Sequence, residues 1–165
     1  MKKFMQMPHK KFYKIYFISL LTLFLLLSGC RSGGLAQVES PNDSVSFEII
    51  EKGVHSNFIS RTDIVLTDQN ELNNIYDTLN STITPKKEIP QIDFSEYQVV
   101  ISCMGEKPTG GYSMDVDSIM NVEEDLVVYL KYNAPKPGEM VTTALTSPYM
   151  IYTFRKQSKP IRFQY

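Results

Sequence analysis

Hydrophobic positions fall into four regimes along the chain. Residues 15–27 form an almost unbroken apolar run, shorter than the roughly 20 apolar residues an ordinary membrane-spanning helix needs. Residues 31–44 (RSGGLAQVESPNDS) then show no sustained period. From Val45 the apolar positions alternate: Val45, Phe47 and Ile49 share one face of a predicted strand that ends at Glu51-Lys52-Gly53, and Ile64-Val65-Leu66 follow as a second short segment. The period next lengthens to that of a helix. Leu72, Ile75, Tyr76 and Leu79 predict an amphipathic helix over residues 69–80, capped by Thr67 or Asp68, with Glu71 in the first turn where it complements the helix dipole.

Residues 81–91 contain Pro85 and Pro90 around a charged Lys86-Lys87-Glu88 and read as a loop. Beyond it the pattern is that of strands. YQVVISCM (residues 97–104) is nearly all apolar and suits a central strand covered on both faces. Tyr112, Met114 and Val116 alternate with Ser113, Asp115 and Asp117, a strand with one wet face. LVVYLKY (126–132) and YMIYTFR (149–155) add two more, and Ile161, Phe163 and Tyr165 alternate in a last one. The expected fold is α+β: one amphipathic helix packed on a mostly antiparallel sheet or partly open barrel, without internal repeats.

The first two regimes acquire a meaning once charge and small residues are added. Lys2, Lys3, Lys10, Lys11 and Lys14 precede the apolar run, and Leu27-Ser28-Gly29-Cys30 closes it. The combination resembles a bacterial lipoprotein signal, which implies cleavage before Cys30 and lipid attachment to that cysteine. The expected organisation is therefore a signal peptide over residues 1–29, a flexible tether over 30–44 and an α+β domain over 45–165. At about 5 to 6 Å times the square root of its length, the tether separates domain and bilayer by about 20 Å. The implied location is the bacterial cell envelope, at the outer membrane or the cell membrane. Membrane contact is expected through the lipid anchor only, since one acyl chain holds marginally and multiple acylation of Cys30 supplies the rest.

Removing the five signal lysines leaves 12 of the 17 Lys and Arg against all 18 Asp and Glu, a formal net charge of −6. Phosphate neutralisation needs clustered positive charge, so nucleic acid is not an expected partner. With Cys30 lipidated, Cys103 is the remaining thiol and no intrachain disulfide can form. His55 is the one imidazole after the signal, which excludes a three-histidine zinc site, and no CxxC pair exists. The domain must be held by an apolar core, which about 120 residues can supply.

Two loops carry the candidate chemistry. Gly105-Glu106-Lys107-Pro108-Thr109-Gly110-Gly111-Tyr112-Ser113 leads into the alternating strand, and Ala134-Pro135-Lys136-Pro137-Gly138 runs through Thr142 and Thr143 to Ser147-Pro148-Tyr149. TGGYS, a hydrophobic strand pair, a Pro-x-Pro-Gly turn and a late SPY, in this order, resemble the C-terminal domain of the protease-complex subunit PrcB family over residues 97–154. The resemblance implies a lipoprotein that binds and stabilises a partner protein, a secreted protease, with no catalysis of its own and no cofactor; it transfers no catalytic residues. Physically, Gly110 and Gly111 permit close backbone approach, Pro137-Gly138 suits a tight turn, and Tyr112 and Tyr149 are of the type that anchors interfaces. The expected partner-binding set is Thr109, Gly110, Gly111, Tyr112, Ser113, Pro137, Gly138, Thr143, Ser147, Pro148 and Tyr149, if both loops share one end of the sheet.

Catalysis by Cys103 or Ser113 would require His55 as activating base, and Cys103 lies in an apolar run that blunts its reactivity. An alternative of another class uses Asp115 and Asp117, on one strand face beside Glu123, Glu124 and Asp125, as a small-ligand or calcium site. A solvated acidic edge that discourages sheet-to-sheet association explains the same residues.

Overall fold

The computed structural model describes residues 43–165; the signal, Cys30 and the tether up to residue 42 lie outside the described residues. In chain order the elements are β1 (Phe47–Gly53), β2 (Thr62–Leu66), α1 (Gln69–Leu79), β3 (Tyr97–Cys103), β4 (Ser113–Val122), β5 (Asp125–Asn133), β6 (Tyr149–Arg155) and β7 (Ile161–Gln164). Two sheets result, one of four antiparallel strands in the order β1-β6-β3-β2 and one of three in the order β4-β5-β7, with β5 and β7 parallel. The fold is α+β, a helix on a two-sheet sandwich, and the sheets do not close into a barrel.

The helix forms where its caps are. Asp68 accepts from the N–H groups of Asn70 (2.8 Å) and Glu71 (2.9 Å), while Glu71 reaches back to the N–H of Thr67 at 2.6 Å. These bonds satisfy donors that no helical carbonyl can reach. Leu72, Ile75, Tyr76 and Leu79 are buried against Leu66, Val99, Ile101, Cys103 and Ile151. The opposite face of the same sheet gives Val100, Met150, Tyr152 and Phe154 to a second core with Met114, Val116, Ile119, Leu126, Val128 and Leu130 of the smaller sheet. Alternate residues of β3 and β6 thus enter two different cores, which is why both strands read as continuous apolar runs.

Two bulges re-aim side chains. In β1 the register shifts between Ile49, opposite Tyr152, and Glu51, opposite Ile151. Glu51 thereby lies on the helix side of the sheet, where its carboxylate accepts from the Tyr76 hydroxyl (3.1 Å) and the Tyr149 hydroxyl (2.8 Å) and pairs with Lys87. In β4 the register shifts between Val116 and Ser118, leaving Asp117 in the bulge. Asp115 pairs with Lys52 across the β1 and β4 edges. At the other edge of the sandwich the Tyr165 hydroxyl bonds Asp63 of β2, its ring lies 5.2 Å from that of Tyr132, and the Arg61 guanidinium sits 3.8 Å above it. Bulges and charged pairs leave neither side a flat, free edge.

Replacing Glu51 with Ala strips an acceptor from two tyrosines and a counterion from Lys87. The expected loss is about 3 kcal/mol, seen as a lower urea midpoint at unchanged slope, with Glu51→Gln intermediate.

Candidate functional site

Strand directions decide where the loops gather. β1, β3 and β5 finish, and β2, β4 and β6 begin, at one end of the sandwich, so the segments 53–61, 104–113 and 133–148 meet there. The two loops singled out by sequence are neighbours. Lys107 and Thr146 exchange backbone bonds (2.7 and 3.0 Å), the Gly110 N–H donates to the Thr142 carbonyl at 2.9 Å, and the Thr146 hydroxyl donates to the Thr109 carbonyl at 2.8 Å.

The glycines serve this internal contact. A Cβ on Gly110 would meet the Thr142 hydroxyl. Gly111 has φ +82, and a Cβ there would lie 2.8 Å from Val141 and 3.0 Å from Pro135. The close approach they allow is filled by the chain's own segment 135–142. Pro137 and Gly138 (φ +83) are the central residues of a turn closed by the Glu139 N–H on the Lys136 carbonyl at 3.0 Å, the geometry that proline followed by glycine favours.

Ser147 is held on both sides. Its N–H donates to the Val54 carbonyl (2.7 Å), and the Ser56 N–H donates to its carbonyl (2.9 Å) and hydroxyl (2.8 Å). The Pro148 carbonyl accepts from the Met104 N–H at 2.9 Å. Tyr149 is 2 % exposed and bonded to Glu51. It is a core side chain, because its alternation on β6 turns it toward the helix layer. Tyr112 is half-buried on the sandwich core with Lys107 6.0 Å above its ring; Ser113 accepts from the Asn133 amide at 3.2 Å; Thr143 is exposed.

Among exposed polar residues, the loops also present apolar side chains. Val54 (51 % exposed), Ile59 (79 %), Leu145 (58 %) and Met140 (98 %) all lie on these segments. None stood out in the sequence, since each is a single apolar residue in a polar loop and only the fold reveals that they share one end. Two clefts flank Ser147 and Pro148. One, of about 270 Å³, is lined by His55, Phe58, Ile59, Glu106, Leu145 and Ser147 among others. The other, of about 200 Å³, lies between Val54, Tyr112, Met114 and Pro148.

Burial pushes the Cys103 thiol up to about 12, against a weaker pull from the Ser56 hydroxyl, so it stays protonated at neutral pH. Among the described residues neither Cys103 nor Ser113 bonds His55, which is exposed. Asp115 is engaged by Lys52, and Asp117 is the residue at which the register of β4 shifts. No group of three or more His, Cys, Asp or Glu among the described residues is placed to hold a metal. Burial, and then the Glu51 carboxylate, push the Tyr76 and Tyr149 hydroxyls upward.

Comparison with known proteins bears on the same segments. Residues 98–154 match the family described as PrcB C-terminal. No curated protein and no solved structure gives a match. The matched stretch begins in β3, runs through the TGGYS loop, both hairpin strands and the SPY segment, and ends in β6.

Three outcomes are expected. Tyr149→Ala destabilises by about 3 to 5 kcal/mol, and Gly105→Ala, whose Cβ would lie 2.7 Å from the backbone of residues 59–61 at φ +70, by about 2 kcal/mol or more; chemical denaturation measures both. At alkaline pH, tyrosines held above their ordinary value near 10 keep protons that the unfolded chain releases, so stability is intact below that value and falls as pH rises through it. Tyrosinate absorbance is therefore expected to appear together with loss of circular dichroism.

Proposed function

We propose, from the premise that residues 98–154 are a PrcB C-terminal segment, that this chain is a non-catalytic lipoprotein of the bacterial envelope that holds and stabilises a secreted protease against the loop end of its sandwich. The family supports a protease-complex-associated subunit with a protein partner. The finer assignment of anchor, location and contact surface is our own reading.

The observation that carries it is the polarity of the domain. The described chain starts beside the far half of β4, where the Asn121 N–H bonds the Asp43 carbonyl (2.6 Å), Ser44 bridges Met120, and the Val45 N–H bonds the Ile119 carbonyl (2.7 Å). Ser113, where β4 leaves the loops, is seven strand residues away from Met120, about 23 Å at 3.3 Å per residue. The described chain thus joins the domain near one end of β4, while Val54, Ile59, Met140 and Leu145 lie on the loops at the other end. Apolar side chains at the surface, fixed on a rigid frame, are suited to dock a partner. The clefts between them are small and open, which suits protruding side chains of a protein better than an enclosed small molecule.

The test is photo-cross-linking in intact cells from Ile59 and from Leu145, with a double variant, Ile59→Asp with Leu145→Asp, as control. An adduct with an exported protease is expected. The variant is expected to keep the fold, with stability within about 0.5 kcal/mol because both sites are exposed, and to lose the partner on co-purification. Retention of the partner by the double variant would overturn the reading.

A further inference from the structure

The segment between the Pro137-Gly138 turn and Thr146 is unlike the other loops of this end. Residues 139–145 belong to no helix or strand, and all but the half-buried Val141 are exposed. Among the described residues no hydrogen bond engages the N–H groups of Met140, Val141, Thr142, Thr143, Ala144 or Leu145. The segment is nevertheless supported from beneath at three places: the Glu139–Lys136 turn before it, the Thr142 carbonyl on Gly110 in its middle, and the paired Lys107 and Thr146 after it. It also carries no charge from Met140 to Pro148. The neighbouring loop 53–61, by contrast, spends its backbone on Ser147 and Glu106.

We infer that residues 139–145 are a strap that occupies the substrate cleft of an endopeptidase, an inference that rests on the partner class proposed above. A protease cleft takes an extended segment through its free backbone N–H and C=O groups and reads alternate side chains in pockets. The strap offers a row of unpaired donors and the alternate side chains of Thr143 and Leu145 on a mounting that is already held at three places, so less conformational freedom is lost on binding. The absence of Lys, Arg, Asp and Glu from Met140 to Pro148 selects the class of cleft: one that accepts small and apolar side chains, not one that requires a basic residue.

Subtilisin, with a cleft of that kind, is the probe, and trypsin the control. The full chain is incubated with each under native conditions, and the first scission is located by intact-mass spectrometry while hydrolysis of a chromogenic peptide is followed. The expected result with subtilisin is either first scission inside residues 139–145 or inhibition of peptide hydrolysis. Thr143→Pro with Ala144→Pro removes two of the free donors without touching a bond of the fold, and is expected to reduce either effect about tenfold or more. Trypsin is expected to leave the strap uncut. First scission elsewhere by subtilisin, neither scission nor inhibition, or an unchanged response of the double-proline variant overturns the inference. In cells, full adduct formation from Ile59 by the double-proline variant would sink the strap alone, leaving the docking end intact. Absence of any adduct in the unaltered chain would sink the docking end first, and the strap with it.

Discussion

β6 is paired on both edges and buried on both faces, and the rest of the domain is arranged around that condition. Its residues from Tyr149 to Phe154 are all at most 9 % exposed, with β1 along one edge and β3 along the other. A strand in that position must feed two cores at once: Tyr149 and Ile151 to the helix, Met150, Tyr152 and Phe154 to the second sheet. A shift of one residue would exchange the two sets and bring the Tyr152 hydroxyl, now 3.2 Å from Ser102, into the wrong layer. The register is therefore tightly held, and with it the place where the chain enters β6.

That point of entry is the link from packing to function. Ser147 and Pro148 immediately precede β6, so the backbone bonds that fix them to Val54, Ser56 and Met104 extend the order of the sheet into the loops. The loop end is consequently a rigid rim rather than a floppy fringe. Glycine at 105, 110 and 111 is needed because segments of the same chain pack closely at that rim.

Edges and poles complete the picture. The Lys52–Asp115 pair and the Tyr165, Asp63 and Arg61 group tie the sheets together at their two open sides, while bulges interrupt β1 and β4. Such devices discourage further strands from adding at random. The loop segments 53–61, 104–113 and 133–148 gather at one end of the sandwich between these two sides.

Much of this was legible in the residues themselves. Asp68 and Glu71 mark the start of the helix, its buried face is the set Leu72, Ile75, Tyr76 and Leu79, and β3 and β6 announce double burial by carrying apolar residues at consecutive positions. The TGGYS and SPY motifs point to one family because local turn chemistry and strand alternation are written in sequence order. The meaning of individual side chains was not so written. Tyr149 has the composition of an anchor but is turned inward by its position on β6; Asp115 is taken up by Lys52 of another strand, a pairing that no period-two count reveals; Ile59, Met140 and Leu145 look incidental until distant loops converge. Sequence determines local periodicity, capping and turns because these depend on neighbours within a few residues. Which residues face solvent together depends on pairings between segments up to about a hundred positions apart, such as Glu51 with Tyr149, and only the assembled sheets decide it.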